Sequence, residues 1–213
     1  MLNLVYFADP MCSWCYGFGP QLEALIDHET ASRQVTLDLT MGGLRPYNKA
    51  VMDAESKAAV LEHWAHVRDA TGLPFNDAAI QAEGFVYDTE PACRAVVAVR
   101  QLDAARSLDY FHAVQRAFYA EGQDTTREDV LAGVAIRCGI ADGAFREAFR
   151  SPAMREATRD DFALAQKVGV EGLPTLCVDI GQRLYLLTRG YARAEAIEEG
   201  LVRLAADPPS PQG

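Results

Sequence analysis

The chain has 213 residues, 49% hydrophobic and 23% charged, enough for one large globular domain or two small ones with a well-buried core. With 30 acidic residues against 20 lysines and arginines, its formal net charge of −10 argues against nucleic acid or an anionic membrane as the main partner. No run approaches the length of an apolar membrane span, and Met1 leads straight into a strand pattern without a basic, apolar and cleavable leader, so a cytoplasmic location is expected.

Leu2 to Phe7 reads as a short, mostly apolar strand, stopped by Asp9-Pro10 because proline cannot donate to a ladder. Phe18, Leu22, Leu25 and Ile26 then recur at helical spacing, so a helix begins at or just after Cys12. Val35 to Met41 alternates and is rich in strand formers, and Gly42-Gly43 ends it. A strand-helix-strand start of this kind predicts a right-handed crossover and two parallel neighbouring strands.

From Tyr47 to Val168 the pattern is helical throughout. Helices are expected over Lys49–Thr71, over Pro91–Leu102 and around Leu108, Phe111 and Phe118. Thr125-x-x-Glu128 reads as a capping box opening a helix through Cys138, with Gly139 as its stop. Phe145 and Phe149 anchor a short helix, and Ser151-Pro152 starts a longer one ending at Gly169. Strands return at Thr175–Ile180 and Arg183–Thr188, a hairpin about Gly181-Gln182. Ala192–Ala206 is a last helix, and Asp207 to Pro211 reads as a frayed tail. The expected class is therefore α/β: residues 1–46 and 170–213 form a four-stranded mixed sheet with flanking helices. Residues 47–169 form an inserted all-helical subdomain, too long to be a loop.

Chemistry concentrates at Cys12-Ser13-Trp14-Cys15. Two cysteines so spaced close a small disulfide ring, and here they lie where a strand runs into a helix N-terminus. The partial positive charge and unpaired N–H groups of that terminus favour a thiolate, so an exposed Cys12 is expected as the attacking thiol. Cys15, one turn further in, is expected to be more buried and to resolve the mixed disulfide. A half zinc site is the competing reading, but no second CxxC or HxxxH supplies the missing ligands, and no metal is expected. The odd count of 5 cysteines argues against a disulfide scaffold.

This layout resembles the DsbA-like branch of the thioredoxin superfamily, in which a helical domain interrupts a thioredoxin fold, and within it the cytosolic FrnE-like proteins. Three features carry the resemblance: the redox pair within Asp9 to Cys15, Pro20 in the first helix, and Gly169-Val170-Glu171-Gly172-Leu173-Pro174-Thr175. The resemblance implies that Pro174 is cis, that Leu173-Pro174 faces the CxxC, and that the Leu173 backbone binds an extended substrate. It departs at Tyr6, where thioredoxins keep a buried acid that takes a proton from the second thiol. Asp9 is the nearest carboxylate, with two roles open, proton acceptor or helix cap.

Trp14, Tyr16 and Phe18 are candidates for an apolar lip over the site, Phe18 equally for plain core. His63 and His66 share a helix face, as a metal pair or, the favoured reading, a solvated one. Cys93, Cys138 and Cys177 read as small buried hydrophobes, Cys177 being the one to check against Cys12. Gly42-Gly43-Leu44-Arg45 either borders the site or is turn chemistry alone. The function expected is a protein-disulfide oxidoreductase or isomerase acting on polypeptide or small-molecule disulfides. No bound cofactor is called for, and glutathione or another thiol supplies electrons. The alternatives are a glutathione-dependent isomerase or transferase of the kappa-class or hydroxychromene-carboxylate isomerase type, and a non-enzymatic binding module. The direction of any redox reaction stays open.

Overall fold

A computed structural model describes residues 1–181 and 183–206. Four strands form one mixed sheet in the order β2-β1-β3-β4: β1 Leu2–Ala8, β2 Val35–Met41, β3 Thr175–Asp179 and β4 Leu184–Arg189. β1 pairs parallel with β2, antiparallel with β3, and β3 antiparallel with β4. Leu4, Tyr6, Leu176 and Val178 face the main core, and the alternate residues Val5, Phe7 and Cys177 face a small second cluster with Ala165.

Nine α-helices lie among the described residues: α1 Ser13–Thr30, α2 Ala54–Thr71, α3 Ala78–Gln81, α4 Glu90–Leu102, α5 Ser107–Tyr119, α6 Glu128–Arg137, α7 Asp142–Arg150, α8 Pro152–Lys167 and α9 Ala194–Ala206. One buried core runs from the sheet through α1 into the helices that follow β2, with α4 nearly enclosed.

Several boundaries differ from expectation. The helix expected from Lys49 begins at Ala54, because the Asp53 side chain accepts from Ser56 N at 2.8 Å and Val51 is held extended opposite Val86. The Thr125–Glu128 capping box does not form: α6 begins at Glu128 with Arg127 at the N-cap, and Asp124 instead accepts from Thr126. α3 carried no periodic signal, being 4 residues long. Ser151 caps α8 as expected, and Gly139 and Gly169 take positive φ just past their helices. Gln182 and the tail from Asp207 lie outside the described residues.

The helical segment is tied to edge strand β2 by charge. Arg100 on α4 forks onto Asp161 on α8 at 2.9 Å for both bonds. The pair then satisfies the strand's outer edge: Arg100 donates to Leu39 O at 2.6 Å and Asp161 accepts from Met41 N at 2.9 Å. This fixes the end of β2, from which Gly42 to Arg45 continue.

Candidate functional site

Cys12 is the N-cap of α1, with extended backbone (φ −94°, ψ 118°) and no side-chain cap bond. Its sulfur is less open than expected, for the residue is only 5% exposed. It is reached through a pocket of about 500 Å³ lined by Cys12, Trp14, Arg45, His63, Tyr87 and Leu173 among others. Cys12 Sγ donates to Leu173 O at 3.6 Å across 161 residues, and the Leu173–Pro174 bond is cis. Both cysteines are free thiols.

Cys15 is wholly buried, and burial is the first cause pushing its thiol well above the usual range. Its hydrogen bond to Cys12 and the negative charge of Cys12 act in the same sense. A charged Cys12 therefore keeps Cys15 neutral.

Asp9 holds the approach to this pair. Its Oδ1 accepts from Met11 N at 2.8 Å, and its Oδ2 from Leu44 N at 2.7 Å and Cys93 Sγ at 3.4 Å. None of these donors is in the first turn of α1, so the cap role is not the one Asp9 plays. It fastens the loop before the helix to the end of β2 and to α4. Burial raises its carboxyl above the usual range, and the donors from Leu44, Thr89, Met11 and Cys93 act against that rise.

Beneath the pair, Tyr6 packs on Phe18 and Phe111 at ring-centroid distances of 5.7 and 6.0 Å. Its buried hydroxyl meets no hydrogen-bond partner of normal geometry. Burial, the first cause, pushes it well above its ordinary range.

The expected lip breaks up. Trp14 lines the pocket and sets its ring near His63 and Tyr191, at 6.1 and 5.7 Å. Phe18 is core, and Tyr16 turns the other way to stack on Tyr119 at 4.9 Å. His63 and His66 are both exposed, His63 with its ring near Trp14. Cys93 is buried, Cys138 is only half-buried because it ends α6, and Cys177 belongs to the far face of the sheet with Val5 and Phe7.

Gly42 to Arg45 does border the site. A Cβ on Gly42 would come 2.6 Å from Leu173 Cδ2, so any other residue there has to displace that side chain, while Leu44 and Arg45 line the pocket. Tyr87 carried no sequence signal. It is buried at the pocket floor, donates to Met11 O at 2.6 Å and carries the Arg45 guanidinium over its ring at 5.2 Å.

The DSBA-like thioredoxin domain family matches residues 3–201. The chain belongs to that family. A structure from Nitrosomonas europaea, assigned as a candidate protein disulfide isomerase, is 35% identical, covers 98% of this chain and 99% of its own, and superposes with a TM-score of 0.89. The cytosolic disulfide reductase DsbM from Pseudomonas aeruginosa is 26% identical over 96% of this chain and 100% of its own, with a TM-score of 0.78, and is also known with GSH. The ClpXP adapter protein SpxH of Halalkalibacterium halodurans is 22% identical over 177 residues, 82% of this chain, which spans 57% of that relative's length. The chain is thus a DsbA-like thioredoxin-fold protein of a family of thiol-disulfide oxidoreductases. No helix among the described residues is long and apolar enough to cross a membrane.

Proposed function

We propose that the chain is a thiol-disulfide oxidoreductase or isomerase in which Cys12 attacks and Cys15 resolves. The observation that carries this reading is the Cys12 thiol at the N-cap of α1, against the carbonyl that precedes cis-Pro174. The reacting species is the thiolate of Cys12, at the N-terminus of α1. That thiolate attacks one sulfur of a substrate disulfide; the S–S bond breaks, one half stays on Cys12, and the other leaves as a thiolate that takes up a proton. With Cys12 in a mixed disulfide its charge is gone, and with it one cause that holds Cys15 neutral. Cys15 then attacks Cys12 Sγ and expels the second thiolate, leaving the Cys12–Cys15 disulfide. Two equivalents of a thiol such as glutathione restore the pair and are themselves oxidised to a disulfide.

Trp14, Leu173 and Pro174 form the substrate side in this reading. Asp9 is a positioning group whose donors hold it in place, and a part for it in accepting the Cys15 proton is retained as the second role. Residues 1–46 and 170–213 carry the chemistry, and residues 47–169 supply the pocket's far wall. A cytoplasmic setting and glutathione as electron partner are supported by the likeness to DsbM. The glutathione-dependent isomerase reading has only the shared layout in its favour.

The test is equilibration of the chain over a series of glutathione ratios, with quenching by alkylation and readout by mass. An intramolecular disulfide with a defined potential is expected, near about −270 mV for a reductant or about −120 mV for an oxidant. Failure of C15S to accumulate a mixed disulfide, together with unchanged exchange in C12S, refutes the assignment.

A further inference from the structure

The pocket above Cys12 is lined by an arginine and by no carboxylate. In a chain with 30 acidic residues against 20 lysines and arginines, no carboxylate lines it, while Arg45 and His63 do. Arg45 is held in place from two sides: its backbone N donates to Thr89 Oγ1 at 3.1 Å, and its guanidinium lies over the Tyr87 ring at 5.2 Å. Tyr87 in turn is anchored on Met11 O, one residue before Cys12. Arg45 makes no ion pair among the described residues, whereas Arg94, Arg100, Arg146 and Arg150 each have a carboxylate. An exposed cation resting on an aromatic ring, with no carboxylate paired to it, at a concave site of an otherwise acidic molecule concentrates anions there.

We propose that Arg45 is the carboxylate anchor of this pocket and that the pocket selects small anionic thiols and disulfides, with glutathione and its disulfide as the type. The proposal rests on the oxidoreductase reading. A volume of about 500 Å³ lies within the range of small-molecule sites, about 300–1,000 Å³. A guanidinium grips a carboxylate through two parallel N–H donors and so orients the molecule as well as attracting it. With one carboxylate on Arg45, the substrate's sulfur is offered to Cys12, which lines the same pocket. The exchange keeps the atom and electron balance given above: the substrate disulfide gains two electrons as the Cys12–Cys15 pair loses them.

The test compares the rates at which glutathione disulfide (anionic) and cystamine (cationic) oxidise the reduced wild-type chain, at low and high salt. Both rates are normalised to reaction of each disulfide with a small free thiol. The wild type is expected to favour glutathione disulfide, with the preference shrinking in salt. R45Q is expected to lower the ratio of the two rates about fivefold, the upper end for a charge pair at an exposed arginine. R45K is expected to retain part of it, and R45E to invert it. Equal ratios in wild type, R45Q and R45E, with all three still forming the Cys12–Cys15 disulfide, overturn the proposal and leave the oxidoreductase reading intact. Failure of the wild-type pair to exchange in either direction, neither oxidised by the two disulfides nor, once oxidised, reduced by glutathione, overturns both.

Discussion

Gly42→Ala tests whether the end of β2 and the cis-Pro loop are as tightly opposed as the geometry shows. The added methyl would sit 2.6 and 2.8 Å from the two terminal carbons of Leu173. Comfortable carbon contacts are about 3.5–4.0 Å, so an overlap of about 1 Å has to be relieved. Leu173 is half-buried and its tips can turn, so relief comes as an off-rotamer side chain and a small loop shift, costing about 1–2 kcal/mol. Against this, Gly42 does not have positive φ, and alanine there restricts the unfolded chain, returning about 0.4–1 kcal/mol. The net expectation is a loss near 1 kcal/mol and a fall in Tm of about 2–4 °C. In a Leu173→Ala background the clash is gone, and the same substitution is expected to be neutral or stabilising by up to about 1 kcal/mol. The assay is urea unfolding of the four members of this cycle under reducing conditions. An equal cost for Gly42→Ala in both backgrounds would sink the claim that glycine is there to admit Leu173.

Two buried tyrosine hydroxyls near the site should respond differently to loss of one oxygen. Tyr87→Phe removes the 2.6 Å bond to Met11 O and strands that carbonyl, so a stability loss of about 1–3 kcal/mol is expected. Tyr6→Phe removes a hydroxyl with no partner of normal geometry and should fall within about 0.5 kcal/mol of wild type in the reduced protein; chemical denaturation showing equal losses for the two refutes the distinction. His112, whose Nδ1 lies 2.9 Å from Glu23 Oε1, is held below its usual 6.5, with burial outweighing the opposing pull of Glu23. Below that value the unfolded chain binds a proton that the folded chain does not, so its contribution makes stability rise with pH through that window and level off above 6.5. His112→Gln should flatten that slope, and unfolding free energies with the same slope from about pH 5 to 7 in both proteins would refute it.

The sheet, its parallel and antiparallel pairings and most helices were legible because they rest on local periodicity and on glycine and proline punctuation. The strand pattern Val35–Met41 coincides with β2, and Ser151-Pro152 opens α8 as read. The misreadings came where a side chain had two local options. Asp53, not the upstream run from Lys49, sets the start of α2, and Asp124 takes the turn that a Thr125 cap would have needed. At the site, the CxxC and cis-Pro segments announced themselves by spacing and resemblance. Burial of Cys12, Tyr87 beneath it and Arg45 beside it did not, since each depends on a helical segment folding back over the sheet. Nothing in the residues around Tyr87 distinguishes it from the other aromatics of that core.

The arrangement also explains how so long a helical segment between β2 and β3 is compatible with one small site. Asp9 receives its donors from β2's exit at Leu44, from the loop at Met11 and from α4 at Cys93, three places far apart in sequence. Arg100 and Asp161 lock the neighbouring strand edge to α4 and α8. These contacts fix the wall bearing Arg45 and Tyr87 relative to Cys12, so the helical segment is held to the sheet by satisfied buried polar groups as well as by apolar contact. Apolar packing tolerates sliding, whereas a buried carboxylate with several donors loses heavily when any one moves away. Asp9 is therefore one of the groups that specify the site's geometry, and the apolar core around it supplies the bulk of the stability that burying such a carboxyl opposes.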